Sequence, residues 1–176
     1  MAPRAGADRA VSFAPVIGRA PRVLVLGSLP GRASLAAGEY YAHPRNLFWD
    51  FIGELLGLPR TLPYAQRLEG LSAQGIALWD MVREAHRPGS LDASIDAATV
   101  RHNDIADLVC TTPSLRAVAF NGGKAATLFD RCVVPRLGAR LAGLELLRLP
   151  STSPANAGLA RDAKRAAWQK LADYLD

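Results

Sequence analysis

With 176 residues, 49% hydrophobic and 21% charged, the chain has globular make-up, neither disordered nor fibrous, and its length fits one domain. Its longest apolar runs, residues 23–26 and 76–79, are far too short to cross a bilayer, and the stretch around Arg4 and Arg9 has no apolar segment of signal-peptide length. A cytoplasmic protein away from membranes is expected, and a formal charge of +5 favours a polyanionic partner, because basic surface attracts phosphate and releases counterions.

Residues 1–10 are small, polar and basic without periodicity and read as a loose arm, with a single ordered domain beginning near Val11. The run 22–27 is almost wholly apolar and ends on Gly27, the pattern of a strand buried on both faces. Next, Leu47, Phe48, Phe51, Ile52, Leu55 and Leu56 recur at helical spacing until Gly57 and Pro59 close the segment. Residues 63–74 read as a second helix and 76–80 as a second strand. Helix 103–110, strand 115–121, helix 124–133 and strand 144–149 follow, and a last helix, 161–175, has Ala163, Ala167, Leu171 and Leu175 on one face. Parallel strands need helical crossovers, so this alternation predicts a three-layer α/β/α sandwich around a central parallel sheet of about four strands. Cys110 and Cys132 fall within apolar helical patterns, where a free thiol behaves as a small hydrophobe. With His43, His86 and His102 lacking ligand spacing, no disulfide, metal or cofactor is expected.

Open parallel sheets bind ligands at the carboxyl ends of their strands. There the chain places Gly27-Ser28-Leu29-Pro30-Gly31, Asp80, Asn121-Gly122-Gly123-Lys124, and Pro150-Ser151-Thr152-Ser153-Pro154-Ala155-Asn156. The connection from 27 to 49 is long and carries Glu39, Tyr40, Tyr41, His43, Arg45 and Asn46, a density of aromatic, amide and basic groups suited to stacking on a planar base and holding a phosphate. A carboxylate at Asp80 accepts a hydrogen bond from the ring N–H of uracil or hypoxanthine and meets a lone pair on adenine or cytosine; the alternative is an Asp that caps a turn. Gly122-Gly123-Lys124 is not a P-loop, since Ala125 stands where Ser or Thr is required.

Together, Gly27-Ser28-Leu29-Pro30-Gly31, Tyr40-Tyr41-Ala42-His43-Pro44-Arg45-Asn46-Leu47-Phe48-Trp49, Phe120-Asn121-Gly122 and Ser151-Thr152-Ser153-Pro154-Ala155-Asn156 resemble the hypoxanthine-DNA glycosylase family of the uracil-DNA glycosylase superfamily, from about Phe13 to the C-terminus. The resemblance implies a monofunctional, monomeric DNA glycosylase of base excision repair, without cofactor. Such an enzyme flips a deaminated base, uracil or hypoxanthine, out of DNA and hydrolyses its N-glycosidic bond to leave an abasic site. It implies that Asn46 positions water, that Tyr41 stacks on the base with Tyr40 as a packing partner, and that Ser28 with the turn Leu29, Pro30 and Gly31 donates to a base carbonyl. Asp80 stands where relatives often read the base with Asn, and Asn121 and Lys124 shape the pocket or meet the DNA backbone. Arg45, Ser151, Thr152, Ser153 and Asn156 fall to phosphate contacts, and residues 157–159 to a wedge in the duplex. The pattern departs in two places: Leu29 replaces a water-activating Asn of the more distant mismatch-specific relatives, and Ser151 replaces a His that stabilises the uracil anion. Asn46 also reads as an N-cap for the following helix. Two rival readings stay open: a DNA-binding module that has lost catalysis, and a hydrolase of free nucleosides.

Overall fold

The computed structural model describes residues 8–176. Its strands are β1 (Arg9–Val11), β2 (Val23–Gly27), β3 (Ile76–Asp80), β4 (Val82–His86), β5 (Arg101–His102), β6 (Ala117–Asn121) and β7 (Glu145–Leu149). Its helices are α1 (Arg32–Ala37), α2 (Phe48–Leu56), α3 (Tyr64–Ala73), α4 (Ile105–Thr111), α5 (Gly123–Cys132), α6 (Val134–Leu137) and α7 (Arg161–Gln169). The main sheet has the order β3-β2-β6-β7 and is parallel throughout. The chain steps outward from β2 to β3, then crosses to the other side of β2 for β6 and β7. The order therefore reverses between β2 and β6, and the ligand crevice belongs above their carboxyl ends.

Strand periodicity sorts the core into two layers. Leu24 and Leu26 of β2, with Val118 and Phe120 of β6, face α4, α5 and α6, where Ile105, Val109, Ala126 and Phe129 cover them. Val23 and Val25, with Ala117 and Ala119, face the other way against Phe48, Phe51, Ile52, Leu71 and Trp168 of α2, α3 and α7. The predicted three-layer sandwich is thus the observed one. Val16 pairs with Leu78 and closes the free edge of β3, with hydrogen bonds of 2.9 Å in each direction.

Most predicted boundaries shift by one or two residues, and the last helix breaks at Gln169 into a 3-10 turn, Lys170–Tyr174. Two differences are larger. Residues 1–7 of the expected arm lie outside the described residues, but Arg9 and Ala10 are not loose: they pair antiparallel with β4, bury Ala10, and set Arg9 on Glu84 in an ion pair. A second sheet, β1-β4-β5, therefore forms beside the first. β1 and β5 are only three and two residues long, and β4 carries Arg83, Glu84 and His86 among its five, so no apolar run marks this sheet. Cys110 is exposed on α4 rather than packed, since Ile105, Ala106 and Val109 supply that helix's inward face.

Candidate active site

A cleft of about 520 Å³ opens above the carboxyl ends of β2 and β6. Three walls are the predicted ones: the turn after β2, the segment 40–46, and the segment 151–156. The fourth, Ser90, Leu91 and Asp92, comes from the connection after β4.

At the floor, Gly27 pairs in register with Asp80. A Cβ on Gly27 would lie 2.6 Å from Asp80 Oδ1 and 3.4 Å from the Tyr41 hydroxyl, so glycine is needed here for close approach. Asp80 is only 3% exposed. Its Oδ2 and the hydroxyls of Tyr40 and Tyr41 have no hydrogen-bond partner among the described residues. An unpaired buried polar group costs about 1–3 kcal/mol, and three of them lie together at the floor of the cleft.

Burial raises the Asp80 pKa from 3.8 to about 7; the Tyr40 hydroxyl, close by though outside hydrogen-bond geometry, and Arg87 pull it down, and Asp92 adds to the rise. Burial likewise pushes both tyrosine hydroxyls well above their ordinary value. A carboxyl whose folded pKa is raised contributes stability that is fully present below 3.8 and is lost as the pH rises through about 7. The thermal midpoint of the wild type relative to that of Asp80→Asn should therefore fall between pH 5 and pH 8. Calorimetry of the pair that finds a constant difference would show that Asp80 titrates normally.

Tyr41 adopts φ 57°, a left-handed conformation costing about 1–3 kcal/mol for a non-glycine residue, and its ring stacks on Phe48 with centroids 4.0 Å apart. Tyr40 is the packing partner: its ring meets Phe13 edge-on, and its carbonyl accepts the Trp49 indole N–H at 2.8 Å. Asn46 is buried on the cleft wall, and its Oδ1 accepts the Phe48 N–H at 3.0 Å, capping α2. The segment carrying Asn46 is stapled by Arg60, whose guanidinium donates to the carbonyls of His43 (3.3 Å), Pro44 (3.0 Å) and Asn46 (3.1 Å) and to Asp50 (3.0 Å).

On the facing wall the Asn121 amide turns both ends to Thr152, donating to Oγ1 and accepting the backbone N–H, each at 2.9 Å. Thr152 is fully buried and its carbonyl accepts the Leu47 N–H. This corrects the expectation that Thr152 contacts DNA: its groups brace the loop from below. Ser151 Oγ accepts the Ser153 N–H, Ser153 Oγ accepts the Ala155 N–H, and Asn156 donates to the Ser151 carbonyl, so the rest of the loop is held in shape by its own side chains. Gly122, at φ 99°, lets β6 turn against Ser151. Arg45, which precedes Asn46, and Lys124, at the start of α5, are exposed and are not among the residues that line the cleft.

The turn after β2 is held by residues the sequence did not single out. Arg87, 2% exposed, donates to the carbonyls of Leu29 (3.1 Å) and Pro30. Ser90 Oγ accepts the Arg32 N–H at 3.0 Å, and Ser28 donates to Asp92 Oδ1 at 2.6 Å. The Leu29 side chain points into the core, so it cannot orient water; Pro30 and Gly31 line the cleft. In sequence Arg87 looks like any other arginine; only the polar Ser90 and Asp92, soon after Pro88-Gly89, hinted at a structured turn.

A sequence model of the Uracil DNA glycosylase superfamily matches residues 15–172. The chain belongs to this superfamily. It is 33% identical over 160 residues to the hypoxanthine DNA glycosylase of Methanosarcina acetivorans, covering 90% of this chain and 95% of that protein. It is 38% identical over 113 residues to that of Methanosarcina barkeri, covering 64% and 70%. Among solved structures, the NMR structure of a candidate uracil DNA glycosylase from Methanosarcina acetivorans superposes with a TM-score of 0.78 at 32% identity, covering 95% of this chain and 98% of that one. In this member of the uracil DNA glycosylase superfamily, the cleft at the sheet's switch point coincides with the segments that carried the resemblance.

Proposed function

We propose that the chain removes hypoxanthine, and uracil by the same contacts, from DNA. It is a DNA glycosylase of base excision repair that hydrolyses the N-glycosidic bond of deaminated bases. The observation that carries the choice of base is the floor of the cleft. Unpaired polar groups on Asp80, Tyr40 and Tyr41 lie beneath a volume roomy enough for a purine, with the Tyr41 ring on the wall. The extruded base stacks on the Tyr41 face turned away from Phe48, an interaction worth about 1–3 kcal/mol. Asp80 meets the polar edge of the base, accepting from an N–H when ionised and donating to a carbonyl when protonated.

Hydrolysis passes through a transition state with positive charge on the deoxyribose, so the enzyme's task is to hold water and stabilise charge. Asn46, on the cleft wall, holds the water that attacks C1′. The C–N bond electrons leave with the base, and the proton that the water loses as the new C–O bond forms passes through solvent to the departing base anion, so the products are the neutral base and the abasic site. Arg45, Lys124, Ser153 and Asn156 meet phosphates beside the extruded nucleotide, and Leu159, 44% exposed beyond that loop, fills the gap in the duplex. The test is a panel of single- and double-stranded oligonucleotides carrying hypoxanthine or uracil, with free inosine alongside. Alkali-labile sites at hypoxanthine are expected, with uracil cut more slowly. Tight binding without cleavage, or cleavage of free inosine alone, overturns the proposal.

A further inference from the structure

The fourth wall does more than close the cleft. Three contacts lay the connection after β4 across the turn after β2: Arg87 on two carbonyls, Ser90 on the Arg32 N–H, and Asp92 on Ser28. The last has a chemical consequence. A serine hydroxyl owns one proton and two lone pairs and, left free, rotates to donate or accept as its partner demands. At 2.6 Å the Ser28–Asp92 contact has the length of a charge-assisted O–H···O⁻ bond, roughly twice as strong as a neutral one. The Ser28 proton is thus directed to Asp92, and what Ser28 Oγ still offers the cleft it lines is lone pairs only.

We infer that Asp92 is a specificity-determining positioning residue: by holding the Ser28 proton it makes Ser28 Oγ an acceptor for the ring N–H of a deaminated base. This reverses the role expected for Ser28, which was to donate to a base carbonyl. Deamination of adenine turns a ring nitrogen that carries a lone pair into one that carries a proton, and turns the neighbouring amine into a carbonyl. A free serine satisfies either ring nitrogen. A serine whose proton is held satisfies only the protonated one and meets the other with lone pair against lone pair, which is rejection rather than weaker attraction. With Ser28 on the ring N–H, the adjacent carbonyl falls to Asp80, whose protonated form donates; Asp80 stands opposite Gly27, next in the chain to Ser28. A donor and an acceptor side by side match the lactam edge shared by hypoxanthine and uracil.

The inference rests on the proposed base excision, and the experiment separates the two. Duplexes carry an uncleavable 2′-fluoroarabino nucleotide of hypoxanthine or of unsubstituted purine, whose ring nitrogen has a lone pair and which lacks the carbonyl. Binding of each is measured for wild type, Asp92→Ala, Ser28→Ala and the double variant. The missing carbonyl affects all four proteins alike and cancels in the comparison. The ratio of hypoxanthine to purine affinity is expected to drop about tenfold in Asp92→Ala, because the released hydroxyl can then donate to the purine. In the Ser28→Ala background the same change should move the ratio less than twofold. Asp92→Asn keeps the side-chain volume and serves if the alanine variant misfolds; a lower ratio is expected there too. An unchanged ratio in a folded Asp92 variant, or an equal drop without Ser28, overturns the inference while leaving excision standing. A wild type that prefers neither duplex to undamaged DNA overturns both readings.

Discussion

Replacing Asn46 with alanine is expected to slow single-turnover excision about 100- to 1000-fold, the usual effect of removing one preorganised polar group that acts on the transition state. Binding of the damaged duplex should change by a few-fold at most, since the contacts proposed for the base are Tyr41, Asp80 and the turn after β2. The amide has a second duty that the experiment must separate: its Oδ1 caps α2 through the Phe48 N–H, and losing a cap costs about 1 kcal/mol. Asn46→Ser keeps an oxygen able to cap and loses the reach of the amide. The serine variant should therefore recover most of the thermal midpoint lost in Asn46→Ala and almost none of the rate. Wild-type single-turnover rates in either variant would remove Asn46 as the residue that holds water. Rates that track the thermal midpoint across all three proteins would assign it to the helix cap alone.

The helix cap at Asn46 and the water site proposed there show how far local sequence reaches. The run of apolar residues after it announced α2, and an Asn directly before such a run is an ordinary cap, so the structural role was readable from spacing. The proposed water site draws on the far end of the chain: Asn46 shares a cleft with the segment 151–156, and Thr152 joins the two walls by accepting the Leu47 N–H and clasping Asn121. The parallel strands were legible for the same reason as α2, since four largely apolar runs separated by helices admit few arrangements, although β7, at the sheet's edge, buries only Leu149. The small antiparallel sheet was not, because Arg9–Val11, Val82–His86 and Arg101–His102 take their order from pairing with one another rather than from any period of their own. That omission hid the fourth wall. Arg60 and Arg87 were hidden for another reason: each binds backbone carbonyls, which every residue possesses, so no partner residue type betrays them.

Gly27→Ala is expected to damage the site through a single methyl group. No unusual φ is involved; the Cβ simply falls 2.6 Å from Asp80 Oδ1, where a carboxyl oxygen already stands. Asp80 cannot swing away freely, because it is buried beside the Tyr40 and Tyr41 hydroxyls and the Tyr41 hydroxyl would itself lie 3.4 Å from the new carbon. Overpacking of this kind costs about 1–3 kcal/mol, and a displaced Asp80 would lose the base contact proposed for it, so excision should fall at least tenfold with a weaker affinity for damaged DNA. The double variant Gly27→Ala with Asp80→Ala identifies the cause. Taking away the carboxyl removes the clash, so the thermal midpoint should rise above that of Gly27→Ala while excision stays low, a non-additive pair as expected of residues in contact. If the second substitution instead lowers stability further, the methyl group is being accommodated elsewhere, and the close approach of Gly27 to Asp80 is not what makes glycine necessary at the floor of the cleft.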